Sequence, residues 1–283
     1  MDVNRQRAKA LQLREMHAAP PILLLPNAWD VTSARLFEDA GFRAVATTSA
    51  GIANLLGYTD GQGITRDGML SMVKRIAHAL AVPVTADMEA GYSSTPEGAA
   101  ATAKAVIDSG AVGMNFEDGT NDPKAPLFEL ELQVARVKAI RAAADAAGVP
   151  LVLNARTDVY FVESGDDAAC FNHAVLRANA YRAAGADCLF IPGVSDRDII
   201  ARLVRAVHGP INILAGAGTP RIFELEQLGV ARVSVGSGPM RATMALTRRI
   251  AEELLEAGTY ASFTVDSISH HEANDLVERS QKD

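Results

Sequence analysis

Residues 82–118 hold one complete repeating unit of the chain. It runs Val82-Pro-Val-Thr-Ala-Asp87-Met-Glu89, a helical stretch over Glu97–Ser109, the turn Ser109-Gly110-Ala111, and Val112-Gly-Met-Asn-Phe-Glu117-Asp118. Both flanking runs are almost continuously apolar, as parallel strands buried on both faces are. A half-exposed antiparallel strand would alternate. Both runs stop abruptly on carboxylates. Burying acids side by side is costly unless a cation or an arginine neutralises them, so the two strand ends mark a site rather than a packing need.

The unit recurs in both directions. Apolar runs lie at Ile22–Leu25, Ala44–Thr48, Val82–Ala86, Val112–Phe116, Leu151–Ala155, Cys188–Ile191, Ile211–Leu214 and Arg232–Val235, with helical stretches such as Glu129–Ala147 and Ala168–Ala184 between them. Ala40-Gly41-Phe42, Ala184-Gly185-Ala186 and Leu228-Gly229-Val230 repeat the glycine turn, which reads as a left-handed helix C-cap leading into a strand. Eight such units predict an α/β fold, a (β/α)₈ TIM barrel with extra C-terminal helices. An open doubly wound sheet is the alternative. Its glycine fingerprint is missing after the first run, where the chain reads Pro26-Asn-Ala-Trp-Asp30. The expected organisation is one domain over 1–283, with the barrel at about 20–257, its last helix at Arg241–Ala257, and an amphipathic tail at about 258–283 that is a candidate for packing on a neighbouring subunit.

Bulk composition narrows the function. The 283 residues are 48% hydrophobic and 22% charged, which suits a large core. A net charge of −7 argues against nucleic acid and anionic membranes as partners. Residues 1–16 read as a polar helix without an apolar leader core, and no run approaches the ~20 apolar residues of a membrane span. Two cysteines, Cys170 and Cys188, fit core positions in a reducing compartment, so the expected location is cytoplasmic. The six histidines fall on helices or in the tail, with His17 and His78 read as surface residues. That disfavours a zinc site or a Ser-His-Asp triad.

In barrel enzymes the active site lies at the C-terminal strand ends, so its candidates are read in order. The first run ends on Asn27, Trp29 and Asp30, and the second on Thr47, Thr48 and Ser49. Asp87 and Glu89 end the third, Glu117 and Asp118 the fourth, and Arg156 and Asp158 the fifth. The last three end on small residues. Asp87, Glu89 and Glu117, with Asp60 as a fourth, form a donor set for Mg²⁺ (or Mn²⁺), which prefers oxygen ligands. Thr48, Ser49 and Ala50 lead into a helix N-terminus and offer donors to a substrate carboxylate. Arg156 presents a fork suited to carboxylate or phosphoryl oxygens, and reads equally as an ion-pair partner of Glu117. Asp118 and Asp158 are equally readable as helix caps. The glycines at 216–218 and 236–238 fit either a phosphate cradle or tight turns.

Several of these segments resemble the isocitrate lyase / phosphoenolpyruvate mutase superfamily. Asp87-Met-Glu89-Ala-Gly91-Tyr92 resembles its Asp-x-Asp-x-Gly-Tyr motif, and Phe116-Glu117-Asp118 its Leu-Glu-Asp. Thr48-Ser-Ala-Gly51 through Gly57-Tyr-Thr-Asp60 resembles its substrate-carboxylate loop and the aspartate after it, and Asn154-Ala-Arg-Thr-Asp158 its Ala-Arg segment. The resemblance implies a Mg²⁺-dependent barrel enzyme acting on small 2-oxo acids or enolpyruvate-type substrates, assembled as a dimer or as a tetramer in which the C-terminal helices, here the tail at about 258–283, are exchanged between subunits. It places the metal at Asp87, Glu89 and Glu117 with Asp60 nearby, the substrate carboxylate at Thr48, Ser49 and Ala50, and its far end at Arg156. Two departures matter. The loop Gly119-Thr-Asn-Asp-Pro-Lys-Ala-Pro126 lacks the Lys-(Lys/Arg)-Cys-Gly-His of the tricarboxylate lyases. Ile191-Pro-Gly193 stands where phosphonopyruvate-type members carry histidine. The expected activity is a lyase or decarboxylase cleaving a C–C bond of a small 2-oxo or 2-hydroxy acid through an enolate, with Tyr58, Asn121 or water as proton donor. The alternatives are a phosphonomutase or phosphonopyruvate hydrolase, and a non-catalytic 2-oxo acid binding protein.

Overall fold

Closure of the sheet happens at Pro26. In the computed structural model, which describes residues 2–18, 20–163 and 167–278, the first expected strand is two segments, β1 (Leu23–Leu25) and β2 (Asn27–Ala28). They are followed by β3 (Val45–Thr47), β4 (Val84–Asp87), β5 (Gly113–Glu117), β6 (Val152–Arg156), β7 (Cys188–Phe190), β8 (Ile211–Leu214) and β9 (Arg232–Ser234). All pairings are parallel, in the order β1-β9-β8-β7-β6-β5-β4-β3-β2. Since β1 pairs with β9 while β2 pairs with β3, the covalent link through Pro26 joins the two edges and makes a barrel. Proline has no N–H to give a ladder, so it fits the point where one strand changes partners. Its carbonyl still accepts from the Ala46 N–H at 2.9 Å.

The helices follow as expected, within a residue or two. Glu97–Ser109 is observed as Pro96–Asp108, Glu129–Ala147 as Leu130–Ala146, and Ala168–Ala184 as Asp167–Ala183. Gly41, Gly110, Gly185 and Gly229 all have positive φ, so the repeated turn is the left-handed cap its sequence suggests.

The N-terminal helix Val3–Glu15 plugs the floor of the barrel. Gln6 Nε2 donates to the Ile107 and Ala111 carbonyls, and Lys9 Nζ to those of Leu80 and Val82, which are the segments entering β5 and β4. Leu13 is fully buried, and Gly113 leaves it room: a Cβ there would lie 3.0 Å from Leu13 Cδ2. His17, expected on a surface, is buried instead, with Nδ1 against the Leu13 carbonyl at 2.7 Å. Burial and the Arg232 charge press its pKa down to about 3, which leaves it neutral.

The last barrel helix is Gly238–Glu256, longer at its start than expected. It buries only Met240 and leaves Met244, Leu246, Leu254 and Leu255 exposed. Helix His270–Glu278 returns to pack on Val31–Asp39 through the buried Leu276. The expected tail to residue 283 lies outside the described residues beyond 278. Among the described residues no helix is long and apolar enough to cross a membrane.

Leu13→Ala should cost about 2–4 kcal/mol, because the floor between β4 and β5 is already sealed and cannot collapse onto the space left. Chemical denaturation at equilibrium reads this directly, and a loss below about 1 kcal/mol would show that the plug is not part of the core.

Candidate active site

The acids at the strand ends are set by register. Asp87 on β4 is the neighbour of Asn115 on β5, and Glu117 on β5 is the neighbour of Arg156 on β6. Adjacent strands lie ~4.8 Å apart, so Glu117 and Arg156 meet with little freedom, and Arg156 Nη1 lies 2.7 Å from Glu117 Oε2. Arg156 Nε also lies 2.5 Å from Asp158 Oδ1. The ion pair foreseen as an alternative for Arg156 therefore exists, and the guanidinium bridges two carboxylates. Their charges hold its pKa above the ordinary arginine value despite burial.

Asp87 ends β4. Its Oδ2 accepts from the Ser49 N–H (3.0 Å) and hydroxyl (2.9 Å), while its own N–H donates to Thr47 Oγ1 at 2.9 Å. The other oxygen, Oδ1, is buried and has no hydrogen-bond partner among the described residues. Ser49 is thus anchored on an acid, and Thr48 caps helix Ser49–Leu55 by accepting from the Gly51 N–H at 3.3 Å. Gly51 is required here, because a Cβ would approach Trp29 Cβ to 2.9 Å. Ala50 lies in the same first turn.

Glu89 does not continue the strand. Its φ is +50°, followed by +80° at Gly91 and +57° at Tyr92, so the chain coils tightly around it. The strand stops at Asp87, so Glu89 reaches the mouth from this turn rather than from a strand end. Gly91 cannot carry a side chain, since a Cβ would meet Phe116 Cε2 at 2.7 Å. Arg136, buried on Leu130–Ala146, fastens the turn by donating to the Ala90 and Ser93 carbonyls. Glu89 Oε2 accepts from the Gln62 N–H at 2.5 Å and Oε1 from the Tyr92 hydroxyl at 3.2 Å. Burial, then the charges of Asp87 and Asp60, push its pKa up to about 7. Burial also pushes Glu117 up, with Arg156 opposing. Asp60 sits on the exposed rim loop, and its pKa is raised by partial enclosure and by Asp87.

The remaining candidates are more peripheral. Tyr58 lies on the same loop with 51% of its surface exposed. Asn121, at φ +62°, donates to the Gly61 carbonyl at 3.3 Å and so ties the loop after β5 to the loop carrying Asp60 and Gln62. Asp158 precedes the short helix Val159–Val162 without a side-chain capping bond. Asp118 is no cap either. Fully buried, it accepts from Arg177 Nη1 (3.1 Å), the Tyr181 hydroxyl (2.6 Å) and the Asp158 N–H (2.9 Å). At the small-residue half of the mouth, a cavity of about 340 Å³ is lined by Phe161, Gly193, Ala215, Gly216, Gly236 and Arg241 among others.

Among the described residues, no three His, Cys, Asp or Glu side chains already converge in ligand geometry. The donor set nevertheless fits a hard divalent cation. It offers a buried oxygen on Asp87 unpartnered among the described residues, two further acids, Glu89 and Glu117, raised by burial and then by neighbouring carboxylates, and no imidazole or thiol. Sequence reasoning missed Gln62, Arg136 and Arg177. Arginines on helices normally read as solvated, and a backbone N–H carries no sequence signal.

A family model described as phosphoenolpyruvate phosphomutase matches residues 13–255. A solved structure from Burkholderia cenocepacia J2315, assigned as a lyase/mutase, superposes with a TM-score of 0.90 at 37% identity, covering 96% of each chain. The 2-methylisocitrate lyase of Escherichia coli K12 is 33% identical over 225 residues, 76% of this chain and 73% of that one. An oxaloacetate decarboxylase of Rhodopseudomonas palustris BisA53 is 31% identical over 258 residues, 89% and 84% of the two chains.

Glu89 sets a pH dependence. Its folded-state pKa of about 7 lies above the ordinary glutamate value, so the folded chain holds a proton that the unfolded chain has released. Stability in chelator should therefore fall as pH rises from about 4.5 to about 7. Glu89→Gln should flatten that slope in melting experiments, and parallel curves would place the shift elsewhere.

Proposed function

The chain belongs to the phosphoenolpyruvate phosphomutase family, a family of enzymes, and within it we propose a Mg²⁺-dependent lyase or decarboxylase acting on a small 2-oxo acid. The observation that carries this reading is Asp87 Oδ1, a buried carboxylate oxygen without a partner among the described residues. It is flanked by Glu89 and Glu117 and faced by Arg156. Asp87, Glu89 and Glu117 would hold the cation, with Asp60 at the rim. When bound, Mg²⁺ supplies a Lewis acid for the 2-oxo oxygen.

The chain's own groups do the rest. The first turn of Ser49–Leu55 orients one carboxylate of the substrate, and Ser49 fixes that turn through the bonds its N–H and hydroxyl give to Asp87. Arg156 grips the oxygens at the other end, held in place by Glu117 and Asp158. For oxaloacetate the C3–C4 bond breaks and its electron pair passes into the 2-oxo group as an enolate. Carbon dioxide leaves, and C3 takes a proton to give pyruvate. Tyr58, Asn121 and water are the proton donors to test, since the first two lie on the loops that meet over the mouth. The loop 119–126 has no cysteine or histidine, which disfavours tricarboxylate cleavage. The decarboxylase relative favours a four-carbon acid. The exposed apolar residues of Gly238–Glu256 support assembly with further copies as a dimer or tetramer.

The family match itself keeps P–C bond chemistry as a second reading. With purified protein and Mg²⁺, pyruvate should form from oxaloacetate, and Asp87→Ala should lower kcat/KM by about a hundredfold or more. Phosphorus NMR on phosphonopyruvate is the companion measurement. A new phosphorus signal together with no pyruvate would replace the first reading by the second. Tight binding without either product would make the protein a 2-oxo acid binder.

A further inference from the structure

Arg156 is held from outside the mouth as well as within it. Behind Asp158 runs an unbroken chain of contacts. The Asp158 N–H donates to Asp118 Oδ1 at 2.9 Å, and Arg177 Nη1 reaches Asp118 Oδ2 at 3.1 Å. Arg177 Nε donates to His173 Nε2 at 2.8 Å, and His173 Nδ1 meets Glu163 Oε1 at 2.5 Å. Arg177 and Asp118 are buried, and the Tyr181 hydroxyl completes the set of donors to Asp118. Asp118, Glu163, His173 and Arg177 have no role in the reaction above.

We propose that Arg177 is a positioning residue for Arg156, acting through Asp118 and Asp158, and that it works only while His173 is neutral. The chemistry of the bonds requires this tautomer. Arg177 has only donors, so His173 Nε2 must offer its lone pair, which leaves the single ring proton on Nδ1 for Glu163. A second proton would abolish the acceptor and set a cation against the guanidinium. Among the described residues the charged groups bonded to the ring are Glu163, from the segment after Val159–Val162, and Arg177 on its own helix, Asp167–Ala183. Once Arg177 turns away, Asp118 loses its ionic partner. The Asp158 backbone then loses its fixed acceptor, and Arg156 Nε its oriented carboxylate.

This inference rests on Arg156 as the residue that grips the substrate, so Arg156→Met is the reference variant. The probe is oxalate, a planar mimic of the enolate, titrated calorimetrically in the presence of Mg²⁺. Arg156→Met should weaken oxalate strongly; if it binds as wild type does, the proposed role of Arg156 is at fault rather than the chain behind it. Given that loss, His173→Leu and Arg177→Met should each weaken oxalate by about tenfold or more, as displaced supporting groups do. His173→Gln, whose amide oxygen can accept from Arg177, should bind as wild type does. Wild-type affinity should fall relative to His173→Gln as the solution is acidified. His173 is partly exposed, so its variants stay informative where Arg177→Met fails to fold. Wild-type oxalate affinity in His173→Leu, or superimposable pH profiles for wild type and His173→Gln, overturns the proposal.

Discussion

Asp60, Asp87, Glu89, Glu117 and Asp158 gather at one end of the barrel, and among the described residues the ion pairs there are made by Arg156 alone. Five acids against one guanidinium is an unbalanced arrangement in a poorly solvated mouth. Burial raises Asp60, Glu89, Glu117 and Asp158, and neighbouring carboxylates raise them further. The surroundings read as a response to that imbalance. The Ser49 turn donates to Asp87, the Gln62 backbone and the Tyr92 hydroxyl donate to Glu89, and β6 sets Arg156 directly beside Glu117. What these donors leave on Asp87 is a buried oxygen with no partner among the described residues, the atom at which the proposed cation would act.

The frame was legible because it obeys one rule throughout. Strands buried on both faces must be continuously apolar, so Val112–Phe116 and Leu151–Ala155 announce themselves, and the acid or arginine closing each run marks the mouth. Pro26 was equally visible, but not its consequence. A partner change inside one strand is a property of pairing, and pairing is not written in either partner alone. Glu89 shows the same limit at a single residue. Its spacing from Asp87 fits a strand, whereas the glycine at 91 and the ring of Phe116 force a left-handed coil that turns its carboxylate toward Gln62.

Buried charges on helices were the least legible part. Arg136 and Arg177 sit among alanines and valines, where a charge ordinarily reads as the solvated face. Both are buried because backbone carbonyls and a carboxylate receive them. Arg136 meets Ala90, Ser93 and the Phe116 and Phe128 rings, and Arg177 meets Asp118 and the Phe128 carbonyl. Each serves a turn leading out of a strand, which is why neither motif residue nor helix periodicity points to it. Asp118 likewise reads as a cap from its place in the chain, and proves to be the acceptor that joins Arg177 to Asp158.

The loops that name the reaction are tied to the same imbalance. Glu89 holds the rim loop through the Gln62 N–H, and that loop in turn receives Asn121 from the segment after Asp118. The carboxylate at the mouth therefore orders the two segments that cover it. A ligand that draws Glu89 away from Gln62 loosens a contact on which the position of Asn121 depends. Access and charge are then one mechanical problem, since nothing between Gly119 and Pro126 supplies a cysteine or histidine. On the proposed function, selectivity would rest on the two cavities that share Phe161, the small-residue chamber and the space bordered by Gly119, Asn121 and Pro126, and on an acid short enough to fit them.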